Sequence, residues 1–76
     1  GMRTVTFEGL PSSGKIRIFT MAGRAVREIE VSADLTGKWI WDLANDEGEP
    51  VASGAYIFVV TDQTGHSSRG KLAVIR

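Results

Sequence analysis

The chain has 76 residues, nine Lys/Arg against nine Asp/Glu, and no cysteine. That is enough for one domain and leaves little room for a substrate cleft of roughly 300 Å³ or more beside a core. The zero net charge gives no steering toward nucleic acid or an anionic membrane, and the missing thiols exclude disulfides, Cys-ligated metal and thiol catalysis.

No apolar run approaches the roughly 20 residues that span a bilayer, so no membrane insertion is expected. No signal peptide lies within the chain. Gly1 before Met2 reads as a tag scar, and residues 1–76 are expected to be the C-terminal module of a larger protein.

Apolar residues alternate with period two over short runs, and turn residues fall between the runs, which is the pattern of strands. The first predicted strand is Arg3–Glu8, with Val5 and Phe7 on one face. Leu10 to Gly14 ends it. The second is Lys15–Thr20, with Ile16 and Ile18 on one side and Arg17 on the other. Gly23 is placed for positive φ in a tight hairpin leading to the third strand, Ala25–Val31. Asp34 to Gly37 is a second connection.

The fourth strand, Lys38–Leu43, puts Trp39, Trp41 and Leu43 on one face. Asn45 to Pro50 is a turn cluster in which Gly48 takes a left-handed or bulge conformation. Val51 and Ala52 are placed in a short bridge ahead of Ser53-Gly54. The fifth strand, Ala55–Asp62, is apolar on both faces and therefore reads as central and buried on both sides. Gln63 to His66, with Gly65, turns the chain into the last strand, Ser67–Ile75. There Arg69 and Lys71 share a side with Ala73 and Ile75.

Six to seven short strands joined by Gly- and Asp-rich turns predict an all-β fold, a small immunoglobulin-like β-sandwich rich in antiparallel pairs. Its core is expected to contain Ile16, Ile18, Trp41, Tyr56 and Phe58, and its turns Gly23, Gly48, Gly54 and Gly65.

Three stretches carry a family resemblance: "IRIFTMAGRAV" (Ile16 to Val26), "WDLANDEGEPVASGAYIFVV" (Trp41 to Val60) and "GKLAVIR" (Gly70 to Arg76). In them the chain resembles the C-terminal immunoglobulin-like modules of the flagellar hook-capping (FlgD-like) type. These are similar in turn to C-terminal domains of many secreted bacterial proteins, including type IX secretion cargo. One departure is Leu43, where the family commonly has Gly after Trp-Asp. The resemblance implies a non-catalytic accessory module of an exported or cell-surface protein, with no cofactor and no single ligand.

Each candidate site has a structural alternative. Trp39 and Trp41 could stack a sugar ring, which is the carbohydrate-binding reading and needs Trp39, Tyr56 or Phe19 exposed in a flat row. The alternative is that tryptophan, which buries a large area, anchors the core. Asp42 and Asp46 are weak metal candidates. Calcium takes 6–8 oxygens at regular spacing, whereas Asn45 is out of phase and Gly48 falls one place late. His66, the one histidine, lies in a turn beside Ser67 and Ser68, without a G-x-S-x-G elbow or a strand-to-helix context. The separated glycines precede no helix and cradle no phosphate.

The reading is of a non-enzymatic structural or interaction module. Its expected partners are domains of its parent protein or an export or anchoring apparatus. Docking is expected through an unpaired edge, the first or last strand.

Overall fold

The computed structural model describes residues 4–32 and 37–75, so most of the predicted Asp34–Gly37 connection lies outside the described residues. Six strands are present: β1 (Val5–Phe7), β2 (Gly14–Thr20), β3 (Ala25–Val31), β4 (Trp39–Trp41), β5 (Gly54–Asp62) and β6 (Ser67–Val74). They form two antiparallel sheets, β1-β4 and β3-β2-β5-β6. The small β-sandwich expected from the alternation is the fold observed.

Side-chain alternation sends one face of each strand inward. On the four-stranded sheet, Ile16 and Ile18 of β2 stand in register with Ile29 of β3 and with Val60 and Phe58 of β5. The smaller sheet lays Phe7 and Trp41 against them. Ile16, Ile18 and Trp41 are fully buried, and Tyr56 and Val74 nearly so. The aromatic rings interlock: Phe7 meets Phe58 edge-on with centroids 5.2 Å apart, and Trp41 meets Tyr56 edge-on at 6.2 Å. Both geometries suit the ring quadrupole. The polar ends of the two amphipathic rings are satisfied. The Trp41 indole N–H donates to the Ala44 carbonyl at 2.9 Å, and the Tyr56 hydroxyl to the Ala52 carbonyl at 2.6 Å.

Three five-residue loops share one geometry: Thr20–Arg24, Asn45–Glu49 and Asp62–His66. In each, the first amide donates to the fifth carbonyl at 2.8 Å, and the amide of the fourth residue returns to the first carbonyl. That fourth residue is Gly23, Gly48 or Gly65, with φ of 89°, 82° and 92°. Left-handed backbone at this place selects glycine. The first residue is Thr, Asn or Asp, and its side-chain oxygen accepts amides of the same loop.

Four details differ from the expectations. Gly54 is the first residue of β5, not a turn residue. The short bridge is made by Pro50 with Ala44, one residue earlier than Val51. β5 is central within its sheet but is not covered on both sides. Ile57 and Val59 are only half-buried and Ala55 is exposed, because among the described residues no second layer packs on that outer face. Finally, the fourth strand stops at Trp41, and Leu43 has φ of +63° while its side chain stays buried. Leucine here occupies the left-handed conformation for which the resembling family commonly uses Gly.

Candidate docking side

The two sheets are unequal, and this determines where the surface is open. A two-stranded layer cannot cover a four-stranded one. Beyond β1, the inner faces of β5 and β6 remain partly uncovered, leaving a cleft of about 550 Å³. Phe7, Leu10, Phe58, Val60 and Leu72 are among its lining residues. Phe58, Val60 and Leu72 point toward the core yet are only half-buried. The size lies within the range of small-molecule sites, larger than the little room expected of so short a chain. Among the described residues, no third strand pairs beside β1 to close this space.

One end of the cleft carries Asp62 and His66. The Thr64 hydroxyl donates to Asp62 at 2.6 Å and lies 3.0 Å from His66 Nδ1, and the Asp62 carboxylate lies 3.8 Å from that nitrogen. The Thr64 hydroxyl holds the Asp62 carboxyl below its usual pKa. Partial desolvation opposes this, and the Thr64 and His66 amides and the nearby imidazole reinforce it. Acid, hydroxyl and imidazole thus sit in one loop, and their hydrogen bonds close the loop. With its proton given to Asp62, the Thr64 oxygen can accept from His66 Nδ1 in the tautomer that carries the hydrogen there.

The acidic turn has a structural use. Asp42 accepts the Ala44 amide at 3.1 Å. Asp46 accepts the Glu28 amide at 3.1 Å, and its own amide donates to the Val26 carbonyl at 3.0 Å. The Arg27 guanidinium donates to the Asn45 carbonyl at 2.9 Å. The turn therefore lies along the edge of β3 and occupies two of its backbone groups, the Val26 carbonyl and the Glu28 amide. Asp42 and Asp46 serve different amides, and among the described residues no group of three or more metal-ligating side chains forms.

The aromatics of the sugar-platform reading are dispersed. Tyr56 is buried, Trp39 stacks on Phe7 with centroids 5.4 Å apart, and Phe19 is half-buried on the outer face of the other sheet. Arg69 and Lys71 lie on β6 opposite Val59 and Ile57. Among the described residues neither has an acidic partner. The sequence placed both cations on one exposed side. It gave no sign that β3 is capped and β6 is not, because the capping residue lies 18 positions away from Glu28.

These features define a small antiparallel sandwich with an open cleft, whose larger sheet has one edge, β3, partly capped by the acidic turn. No family model and no curated protein matches the chain. Among solved structures, the whole chain is similar to part of PorZ, an essential bacterial surface component of the type IX secretion system of Porphyromonas gingivalis, at 27% identity and a TM-score of 0.77. The chain spans 12% of that protein's length. The shared fold and the sequence likeness over the full chain relate this domain to one within a secretion-system component.

Proposed function

We propose that the domain is a non-catalytic interaction module of an exported or cell-surface bacterial protein, of the FlgD-like immunoglobulin-like type, which docks its parent polypeptide onto an export or anchoring apparatus. The observation that carries this reading is the likeness of the entire chain to a 12% portion of a type IX secretion surface component. A small domain within a much larger surface protein is suited to attachment. The open side supports the same reading: among the described residues, no strand pairs with the outer edge of the eight-residue β6, which lies beside a partly uncovered apolar face.

The test replaces the domain, within the polypeptide that carries it, by an unrelated sandwich of equal size. Surface exposure is then followed by protease shaving of intact cells of the source bacterium. Loss of exposure, or of co-purification with envelope components, is the expected result. Unchanged export and assembly would overturn the proposal.

A further inference from the structure

Resting on that docking reading, we infer that β6 is the docking edge and that its partner is an extended strand of another polypeptide carrying acidic residues at alternate positions with apolar residues between them. The register of the β5–β6 ladder determines which backbone groups of β6 point away from β5. Asp62 and His66 close the β5–β6 hairpin by the bond from the Asp62 amide. Bonded and non-bonded pairs alternate from there along an antiparallel ladder. Thr61↔Ser67, Val59↔Arg69, Ile57↔Lys71 and Ala55↔Ala73 are then the non-bonded pairs. The amides and carbonyls of Ser67, Arg69, Lys71 and Ala73 consequently face outward, where a new strand would meet them.

The charges select the partner. Arg69 and Lys71 stand two residues apart on the outer face of β6, with apolar residues as their neighbours on β5. The same sheet shows how such a pair is answered at its other side. β2 carries Lys15 and Arg17 two apart, and β3 opposes them with Glu30 and Glu28, in register. Glu28 lies 3.6 Å from Lys15 and 3.0 Å from Arg17. Ile29, between the two glutamates, turns inward to the core. β6 repeats the basic half of this arrangement without the acidic half. A strand with the Glu-x-Glu character of β3 would supply it. Its intervening apolar side chain would extend the inner face beside Leu72.

A second copy of the chain fits less well. Antiparallel β6–β6 pairing about Gly70 would set Arg69 directly opposite Lys71, and like charges opposed across strands are unfavourable. The acidic strand β3 of a second copy has its Val26 carbonyl and Glu28 amide already engaged by Asp46, so only its short end around Glu30 is left for a new strand. What remains is a foreign acidic-apolar strand.

The test appends, after Arg76, a Gly/Ser linker and a nine-residue strand that alternates Glu with Val and Ile. A second chain carries Lys in place of Glu. Tethering keeps the local strand concentration in about the millimolar range, so a weak edge interaction is measurable. Hydrogen exchange followed by NMR reads the amides of Arg69 and Lys71. The Glu strand is expected to protect both amides on the order of tenfold more than the Lys strand. In the R69E/K71E double variant the preference is expected to invert. Equal protection by both strands, protection by neither, or protection that grows with protein concentration in the untethered chain would each overturn the inference. If R69E/K71E retains normal export and assembly in the source bacterium, β6 is not the docking edge, while the docking reading stands. If replacing the whole domain has no effect there, the docking reading itself falls.

Discussion

The Phe58 ring lies directly over Gly70, its cross-strand partner on β6, so closely that a Cβ built on Gly70 would stand 2.5 Å from the ring Cζ. Glycine at this place is a packing requirement. The ring also meets Phe7 edge-on at 5.2 Å, so its position couples β6 to the smaller sheet. Gly70→Val is therefore expected to displace the ring and destabilise the fold by about 1–3 kcal/mol, the usual cost of overpacking. Combining it with Phe58→Leu should recover part of the loss, because the clash is with the ring itself. Urea denaturation of the two single variants and the double variant measures this coupling. Additive losses would show that the contact is not the cause.

Leu43 combines a left-handed backbone with a buried side chain. The conformation costs a non-glycine residue about 1–2 kcal/mol, while truncating a buried leucine costs about 2–5 kcal/mol. The second term is the larger. Leu43→Gly, which restores the residue common in the resembling family, is thus expected to destabilise the domain by about 1–3 kcal/mol. The Val51 amide, bonded to the Leu43 carbonyl at 2.9 Å, should keep its protection against exchange if the backbone conformation is retained. A rise in stability on substitution would mean that backbone strain outweighs packing here.

These residues show where sequence reasoning ends. Period-two alternation located β2, β3, β5 and β6 to within a residue or so because each has a long enough apolar stripe. The hairpin glycines were legible because left-handed backbone excludes most other side chains. What alternation cannot report is whether an apolar face is covered. Ile57 and Val59 look as buried in sequence as Val60, yet they face outward from a sheet with no second layer on that side. The open cleft and the unequal edges escaped for a related reason. They follow from β1 pairing with β4 and from Asp46 reaching Glu28, contacts between residues distant along the chain. Leu43 escaped because its backbone conformation contradicts its residue type.

The Asp62 loop should weaken in acid. A carboxyl with a lower pKa in the folded than in the unfolded chain contributes stability that is complete above the unfolded pKa. That contribution is lost as pH falls through the folded value. Asp62 is such a group, held down chiefly by the Thr64 hydroxyl. The hairpin is accordingly expected to be intact at neutral pH and to loosen only below the ordinary carboxylate range. NMR titration of the Thr64 and His66 amides, which both donate to Asp62, checks this. Their shifts should follow one midpoint below that of an unstructured aspartate. In Asp62→Asn the side-chain oxygen still accepts but no longer titrates, so the acid-range shift should vanish. A midpoint at or above the ordinary value would contradict the assignment.

Trp39 and Trp41 are neighbours on one strand face and have unequal burdens. Trp41 is fully buried, meets Tyr56 edge-on and donates its indole N–H to the buried Ala44. Trp39 is half-buried and stacks on Phe7 near the rim. Trp41→Ala is expected to cost about 3–5 kcal/mol, a large share of the roughly 5–15 kcal/mol that holds a domain folded. Trp41→Phe keeps most of the volume but leaves the Ala44 carbonyl without its donor, a loss of about 1–3 kcal/mol. Trp39→Ala gives up only part of a ring contact and should cost less than Trp41→Ala. Fluorescence separates the two directly. With Trp39→Phe, the remaining emission should be blue-shifted and protected from iodide. With Trp41→Phe, it should be redder and quenched. If the two indoles are equally accessible to quencher, Trp41 is not the anchor of the sandwich, and the packing of the smaller sheet on the larger one would need another cause.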